Sequence, residues 1–306
     1  MALNASSARA LSNGLRIPMV GYGVYELPSN RQTTEMVKKA LEAGYRHIDT
    51  AAMYHNETET GLGICESGIP REEIFVTTKL DDPDHGFDRT LKAFRSSLQK
   101  LGLDYVDLYL IHSPHGGAQL RTESWRAMEQ LHDEGLIKSL GVSNYGVHHL
   151  EELLEVARIK PVVNQIEIHP WLDQARIVDF CQQHEIVVEA YSPLARAEKA
   201  DDPTLKQVAT KYGKTWAQIL IRWSIQRGYV PLTKTAQASR LPSNLDVFNF
   251  AIVKEDMETL NALNEDLHLG KYHGLLRPVG GAGSMTNKFV PLGDVAEQFH
   301  YDLLRY

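Results

Sequence analysis

The sequence is almost without cysteine: of its 306 residues two are cysteines, Cys65 and Cys181, and they are far apart with no C-x-x-C spacing. This excludes a disulfide-bonded scaffold and a thiolate metal cluster, and it favours a reducing compartment. Long apolar runs are also missing, because no stretch approaches the ~20 residues that a membrane helix needs. The N-terminus does not resemble a secretory signal, so we predict a cytoplasmic protein.

Positive charge is scarce as well, since the formal net charge is -7 at pH 7. A surface for nucleic acid or anionic lipid normally needs a basic excess, so neither a nucleic-acid nor a membrane partner is expected. The expected partner is a small molecule, and nothing requires an oligomer. His148, His149, His169 and His184 lack the spacing of a metal site, so no metal is predicted.

The sequence does contain a regular alternation of short β-branched or aromatic runs with amphipathic stretches such as 33–44 and 88–102. The runs predicted as strands are residues 19–25, 46–50, 73–80, 107–113, 137–143, 162–168, 186–192 and 229–234. Eight strands at this spacing predict one α/β domain over residues 1–306, a (β/α)8 TIM barrel. The Asn13-Gly14 pair predicts an N-terminal β-hairpin that closes the bottom of the barrel.

Residues 267–306 differ from the rest, because they are rich in glycine and proline and lack sustained periodicity. They predict a long C-terminal loop, with a helix at 294–306 as one possibility. Two interpretations stay open: a disordered tail, or an ordered segment that covers the substrate site. The second is favoured by apolar residues that can pack, which are Tyr272, Leu275, Leu276, Phe289 and Val290.

Three predicted strands end near polar residues, Asp49, Lys79 and His112, and Tyr54 follows in the loop after Asp49. Taken singly, each has a structural explanation, such as a helix cap or a satisfied interior group. In a TIM barrel, however, the active site lies at the C-terminal ends of the strands. Lys79 beside Tyr54 is expected to lower the phenol pKa, while Asp49 keeps that lysine charged. His112 is expected to orient a carbonyl oxygen.

A Rossmann fingerprint is absent, because no G-x-G-x-x-G follows the first predicted strand. Lys234 and Arg240 instead lie between the last predicted strand and the start of a helix, where a phosphate group fits. No carboxylate occupies residues 234–240, as it usually would in an NAD-selective site. The prediction is NADPH/NADP+ as cofactor, and the alternative is an ordinary basic helix start.

With these features the sequence resembles the aldo-keto reductase family from about residue 10 to residue 265. The likeness is carried by GYRHIDTAAMYHNETETG at 44–61, VTTKL at 76–80 and YLIHSP at 109–114. It implies a catalytic set of Asp49, Tyr54, Lys79 and His112. In the family the tyrosine is the general acid, the lysine and aspartate tune it, the histidine aids carbonyl orientation, and NADPH gives the hydride.

The resemblance also implies cofactor contacts. KTAQASR at 234–240 is similar to the family's K-S-x-x-x-x-R clamp for the 2′-phosphate, with Thr235 in place of serine. In the family pattern Ser143, Asn144 and Gln165 hold the nicotinamide carboxamide, Tyr191 stacks on the ring, Ser192 and Leu194 touch the pyrophosphate, and Asn244 contacts adenine. The full implied set is Val24, Tyr25, Asp49, Ser143, Asn144, Gln165, Tyr191, Ser192, Leu194, Lys234, Thr235, Arg240 and Asn244.

Three positions depart from the family pattern. Tyr25 and Ser113 stand where many members have tryptophan, and Ser243 stands where glutamate is frequent. The pocket is therefore expected to be less enclosed by indole rings and to admit bulkier ketones, while adenine binding is expected to be looser or different. The implied substrate-binding residues are Tyr25, Tyr54, His112 and Ser113, with the 114–124 loop and residues 267–306 as further walls.

Two other functions stay open. A non-catalytic regulatory barrel that binds a nicotinamide nucleotide, like the aldo-keto-type β subunits of potassium channels, would keep the fold but show no turnover. A barrel hydrolase would use paired carboxylates, with Glu167 and Glu189 at strand ends as candidates. NADPH oxidation separates a reductase from the first, and activity without nucleotide would indicate the second.

Overall fold

The chain begins with the predicted hairpin. The structure is a computed structural model that describes residues 4, 6–270 and 272. Strands β1 (Ala8–Ala10) and β2 (Arg16–Pro18) pair in antiparallel fashion. Between them Gly14 has a φ of +86°, a left-handed value that a residue without Cβ adopts at little cost. The Asn13-Gly14 turn therefore lies where the sequence predicts it.

Eight parallel strands follow and close into a barrel, which confirms the (β/α)8 fold. They are β3 (Gly21–Gly23), β4 (His47–Asp49), β5 (Phe75–Leu80), β6 (Leu108–Ile111), β7 (Leu140–Ser143), β8 (Val163–Glu167), β9 (Val187–Tyr191) and β10 (Val230–Thr233). Each lies within a stretch predicted as a strand and is shorter than predicted. Because β3 pairs with both β4 and β10, the sheet has no free edge.

Helices alternate with the barrel strands. They are α1 (Arg31–Glu42), α2 (Glu57–Glu66), α3 (Phe87–Leu101), α4 (Gly117–Asp133), α5 (Val147–Val156), α6 (Ala175–Gln183), α7 (Pro203–Tyr212), α8 (Trp216–Gln226), α9 (Leu241–Leu245) and α10 (Lys254–Asn261). The two amphipathic stretches singled out in the sequence correspond to α1 and α3. Apolar residues of the helices pack with outward-facing strand residues such as Ile48 and Ile166, which builds the layer around the barrel.

The base of the barrel is filled by apolar side chains. Leu11 and Ile17 from the hairpin cluster with Phe75, Leu108 and Val163 from the barrel strands. The hairpin thus closes the bottom of the barrel, as expected from the sequence. Because alternate residues of a strand face the same side, the inward positions further along these strands can be followed two residues at a time.

Inward positions become polar towards the barrel mouth, by which we mean the C-terminal ends of the eight strands. Phe75 at the base of β5 is followed by Thr77 and then by Lys79, and in β4 His47 is followed by Asp49. These polar side chains are all buried. The interior therefore places ionisable groups at the end of the barrel where TIM-barrel active sites lie.

The chain returns to the mouth after α10. The N–H of Leu267 donates to the carbonyl of Trp171 at 2.9 Å. Residues 271 and 273–306 of the predicted C-terminal segment, including the expected helix at 294–306, lie outside the described residues. In the part of the chain that the structure describes, no helix has the length and apolar character needed to span a membrane.

Candidate active site

Four side chains that the sequence singled out meet at the mouth. Asp49 ends β4, Lys79 lies near the end of β5, and His112 directly follows β6. Tyr54 ends a short 3-10 turn, Ala52–Tyr54, in the loop after β4. Lys79 Nζ lies 3.2 Å from the Tyr54 hydroxyl. The rings of Tyr54 and His112 meet edge to face, with centroids 5.6 Å apart.

The Lys79 ammonium is the centre of this group. It is fully buried and donates to the two oxygens of Asp49 at 2.7 and 2.8 Å and to the carbonyl of Thr50 at 3.0 Å. The Tyr54 hydroxyl is the further acceptor, so three acceptor groups face the three protons of the ammonium. A buried charge is tolerated when it is paired and hydrogen-bonded in this way.

The pKa of Tyr54 lies well above its ordinary value, so the predicted lowering by Lys79 is wrong for this structure. Burial is the largest cause, followed by the negative charge of Asp49 and by Tyr25. Burial disfavours the charged phenolate, and Asp49, held 2.7 Å from Lys79, adds a nearby negative charge that counters the ammonium. Tyr54 therefore keeps its proton at neutral pH, which is the form that a proton donor needs.

Aromatic rings flank this group. The ring of Tyr25 is tilted against Tyr54 with centroids 5.0 Å apart, and Tyr25 remains 42% exposed. Tyr272 places its ring 5.9 Å from that of His112 and its hydroxyl 3.7 Å from Met53 Sδ. Tyrosines from three separate segments therefore form an apolar surface beside the polar groups.

The predicted nicotinamide contacts form a hydrogen-bond network at the ends of β7, β8 and β9. Asn144 donates its amide to the carbonyl of His112 and accepts from the Tyr191 hydroxyl, both at 2.9 Å. Ser143 donates its hydroxyl to the carbonyl of Gln165 at 2.8 Å. Asn144 also has a left-handed φ of 60°. Backbone strain of this kind, held in place by hydrogen bonds, is concentrated at functional sites.

The predicted phosphate-binding residues lie at the exit of β10. The Lys234 side chain is 38% exposed and Arg240 is exposed, whereas Thr235 and Asn244 are buried. The helix that begins here, α9, has five residues and therefore a weak dipole. Attraction for an anion at this place comes from the two cationic side chains.

An ion-pair link between two loops was not predicted from the sequence. Ser192 and Leu194 lie in the loop after β9, where Ser192 has a left-handed φ of 49°. Arg196 of the same loop pairs with Glu26, which follows β3. The Glu26 carboxylate also lies 4.0 Å from Lys234. The paired residues are far apart in the chain, so no local sequence pattern predicts that they form an ion pair.

Comparison with known protein families decides the family, because residues 20–265 match the aldo/keto reductase family. The chain belongs to that family. The glyoxal reductase of Bacillus subtilis (strain 168) is 46% identical over 260 residues, which cover 85% of this chain and 94% of that protein. A solved aldo/keto reductase from Brucella melitensis is 44% identical, with a TM-score of 0.82 over 85% of this chain and 100% of that chain. An aldo-keto reductase from Bombyx mori, solved in complex with NADP, is 38% identical with a TM-score of 0.82 and covers 87% of this chain and 95% of that chain.

In this aldo-keto reductase, two residues that were predicted to contact ligands make hydrogen bonds within the protein instead. Val24 is fully buried between the barrel and the helices, and its carbonyl accepts from Asn56 at 2.9 Å. Ser113 is fully buried and donates its hydroxyl to Asp82. Contacts of Val24 with cofactor and of Ser113 with substrate stay predictions, and this placement does not favour them.

Glu167 anchors the C-terminal segment, a role that the sequence did not reveal. It ends β8, is 2% exposed, and accepts the N–H of Leu269 at 3.0 Å and that of Gly270 at 2.9 Å. A Cβ on Gly270 would lie 2.9 Å from the Tyr191 hydroxyl, so this close approach favours glycine. A carboxylate held by backbone amides does not fit the catalytic role in a hydrolase that its strand-end position suggested.

Glu189, the other hydrolase candidate, is fully buried inside the barrel. It accepts from Gln165 Nε2 at 3.0 Å, and its Oε1 lies 3.5 Å from His47 Nε2. Burial, followed by the charge of Asp49, raises the pKa of Glu189 to about 8. Burial, followed by the charge of Lys79, lowers the pKa of His47 to about 3. At neutral pH Glu189 therefore holds a proton and the His47 ring is uncharged.

Replacing Lys79 by methionine is expected to destabilise the reductase by about 3–5 kcal/mol, because Asp49 would be left buried without its counter-charge. Adding Asp49→Asn removes that charge, so the double variant is expected to lose less stability than the sum of the single variants. Urea unfolding of all four proteins, followed by circular dichroism, measures the difference. Additive losses would show that the two side chains are not coupled.

The raised pKa of Glu189 predicts a pH-dependent stability. Between its ordinary pKa of 4.5 and its folded value of about 8, the folded chain keeps a proton that the unfolded chain releases. The contribution of this group to the free energy of unfolding therefore falls as pH rises through that window, by about 1.4 kcal/mol for each unit of pKa difference. Glu189→Gln is expected to abolish that slope. Parallel stability curves for parent and variant from about pH 5 to about pH 8 would mean that Glu189 is ionised in the fold.

Proposed function

We propose that this chain is an NADPH-dependent reductase that converts an aldehyde or ketone to an alcohol, with Tyr54 as the proton donor. The observation that carries the proposal is the 3.2 Å contact between the Tyr54 hydroxyl and the buried Lys79 ammonium. The ring of His112 lies against that of Tyr54, so a carbonyl oxygen at this place meets two polar groups.

The direction of the hydrogen bonds indicates which group gives the proton. An ammonium can donate and cannot accept, so Lys79 donates to the Tyr54 oxygen and leaves the phenol hydrogen available for substrate. Once that proton moves to the carbonyl oxygen, Tyr54 is a phenolate, and the ammonium 3.2 Å away stabilises it. Asp49 keeps the ammonium in position through its two bonds. Lys79 and Asp49 thus support Tyr54 without reacting.

The cofactor is NADP(H), and when bound it supplies the hydride that reduces the carbonyl carbon. Lys234 and Arg240 are cationic groups suited to the 2′-phosphate that distinguishes NADPH from NADH. Gln165 Oε1 makes no hydrogen bond within the described part of the chain and suits a carboxamide amino group. The related Bombyx mori protein in complex with NADP supports this choice. The remaining proposed contacts are Tyr25, Asp49, Ser143, Asn144, Tyr191, Ser192, Leu194, Thr235 and Asn244.

The substrate is proposed to be an aldehyde or ketone, and the similarity to a glyoxal reductase supports a carbonyl substrate. Tyr25 and Tyr272 supply ring surface next to Tyr54 and His112. Because Tyr25 is open to solvent, bulky ketones are expected as substrates alongside small aldehydes. We further propose that the C-terminal segment, which begins at the Glu167 anchor, covers the bound substrate. Action in the cytoplasm stays a prediction.

Tyr54→Phe is expected to lower NADPH oxidation with test aldehydes by about 10²- to 10⁴-fold, because the ring remains while the proton donor is lost. Steady-state absorbance of NADPH measures the rate, and fluorescence titration is expected to show NADPH affinity close to that of the parent. Equal turnover in the two proteins would rule out Tyr54 as the donor. A parent that binds NADPH but oxidises it with no carbonyl compound of a broad panel would instead be a non-catalytic nucleotide-binding barrel.

Arg240→Ala is expected to weaken NADPH binding by about tenfold or more, because a charge-assisted hydrogen bond to the 2′-phosphate is lost. NADH lacks that phosphate, so its affinity is expected to change little. Arg126→Ala, which removes an exposed arginine from α4, is the matched control. Isothermal titration with both nucleotides gives the comparison, and an equal loss for NADPH and NADH would place Arg240 away from the phosphate.

A further inference from the structure

Gln165 joins two carboxyl groups inside the barrel, those of Asp49 and Glu189. Its Nε2 donates to Asp49 Oδ2 at 2.9 Å and to Glu189 Oε2 at 3.0 Å. An amide nitrogen has two protons, so these two carboxyl groups accept both of them. The amide is thereby held with its nitrogen turned towards the two carboxyl groups, and its oxygen makes neither of these hydrogen bonds.

Asp49 alone would not hold this orientation as firmly. Both of its oxygens already accept from Lys79, at 2.7 and 2.8 Å. Glu189 lies on the neighbouring strand, where its Cα is paired in register with that of Gln165. Without Glu189 one amide proton of Gln165 would be buried without an acceptor, which disfavours this orientation of the amide.

The groups around Glu189 suit it to this task. Within the described residues, the ammonium in contact with this network is that of Lys79, which is already paired with Asp49. A proton on Glu189 therefore keeps the network free of excess charge. The other oxygen of Glu189, Oε1, faces the uncharged ring of His47 at 3.5 Å. His47 Nε2 in turn lies 3.1 Å from Thr77 Oγ1. The carboxyl of Glu189 is therefore held through Oε2, which accepts from Gln165, while Oε1 makes no hydrogen bond within the described residues.

We propose that Glu189 is a positioning residue for the nicotinamide end of the cofactor: by holding the Gln165 nitrogen, it presents Gln165 Oε1 as the acceptor for the carboxamide amino group. The inference rests on the proposed function, because Gln165 is a proposed cofactor contact. Glu189 is fully buried and acts through Gln165. The main chain of Gln165 is tied as well, since its carbonyl accepts from the Ser143 hydroxyl at 2.8 Å and from the Asn144 N–H at 2.9 Å.

The test compares two ligands that differ in the nicotinamide. NADPH carries the carboxamide, whereas 2′,5′-ADP keeps the adenine and the 2′-phosphate and lacks it. Glu189→Leu removes the acceptor and is expected to weaken NADPH binding by about three- to tenfold, with 2′,5′-ADP affinity within about twofold of the parent. Glu189→Gln offers a side-chain oxygen to the same amide and is expected to restore most of the NADPH affinity. Isothermal titration gives all the constants.

A second pair of variants tests whether Glu189 acts through Gln165. Gln165→Leu alone is expected to weaken NADPH selectively, and adding Glu189→Leu to it is expected to have no further effect. The proposal is overturned if Glu189→Leu binds NADPH like the parent, if both ligands weaken together, or if the loss persists in the Gln165→Leu background. Should Glu189→Leu fail to fold, Glu189→Asp withdraws the carboxyl by one methylene and is expected to show the same selective loss. Failure of the proposed function would look different, because the parent itself would then oxidise NADPH with no carbonyl compound of the panel, whether or not it binds the nucleotide.

Discussion

The buried ion pair of Lys79 with Asp49 is the constraint on which the rest of the barrel mouth depends. An ammonium taken out of water needs an opposite charge and an acceptor for every proton. The acceptors come from the end of β4 and the loop after it, so the path of that loop, and with it the position of Tyr54, follows from the pair. Asp49 then binds the Gln165 amide, which extends the constraint across the barrel to β8.

The two ends of the barrel differ in their interior side chains: the base is apolar and contributes to stability, and the mouth is polar and contains the candidate active site. At the base, apolar side chains of the strands pack on Leu11 and Ile17 of the hairpin and keep water out. At the mouth, the same alternation of strand residues presents charged and amide groups that satisfy one another inside a low-dielectric interior. Electrostatic interactions are stronger there than in water, so a proton donor supported by an ammonium is more effective at this end of the barrel.

Local patterns are sufficient to predict the barrel and the grouping at its mouth. Strand ends share one rim, so Asp49, Lys79 and His112 meet although they are distant in the chain. Effects that depend on several groups at once could not be predicted. The Tyr54 pKa is raised mainly by burial and then by the negative charge of Asp49, and no sequence pattern encodes that burial or the position of Asp49 beside Lys79. The same holds for the bond of Gln165 to Glu189 and for that of Glu167 to Gly270, which lies 103 positions away. Neither contact is predicted by a hydrophobic periodicity or by a sequence motif.

Glu167 accepts hydrogen bonds from the main-chain amides of Leu269 and Gly270. This attachment therefore does not depend on side chains, apart from the small size of Gly270. The position at which residues 269–270 meet the barrel mouth is thus independent of the side chains that follow them. Every residue type except proline carries a main-chain N–H, so changes in the residues beyond Gly270 can occur without loss of this attachment.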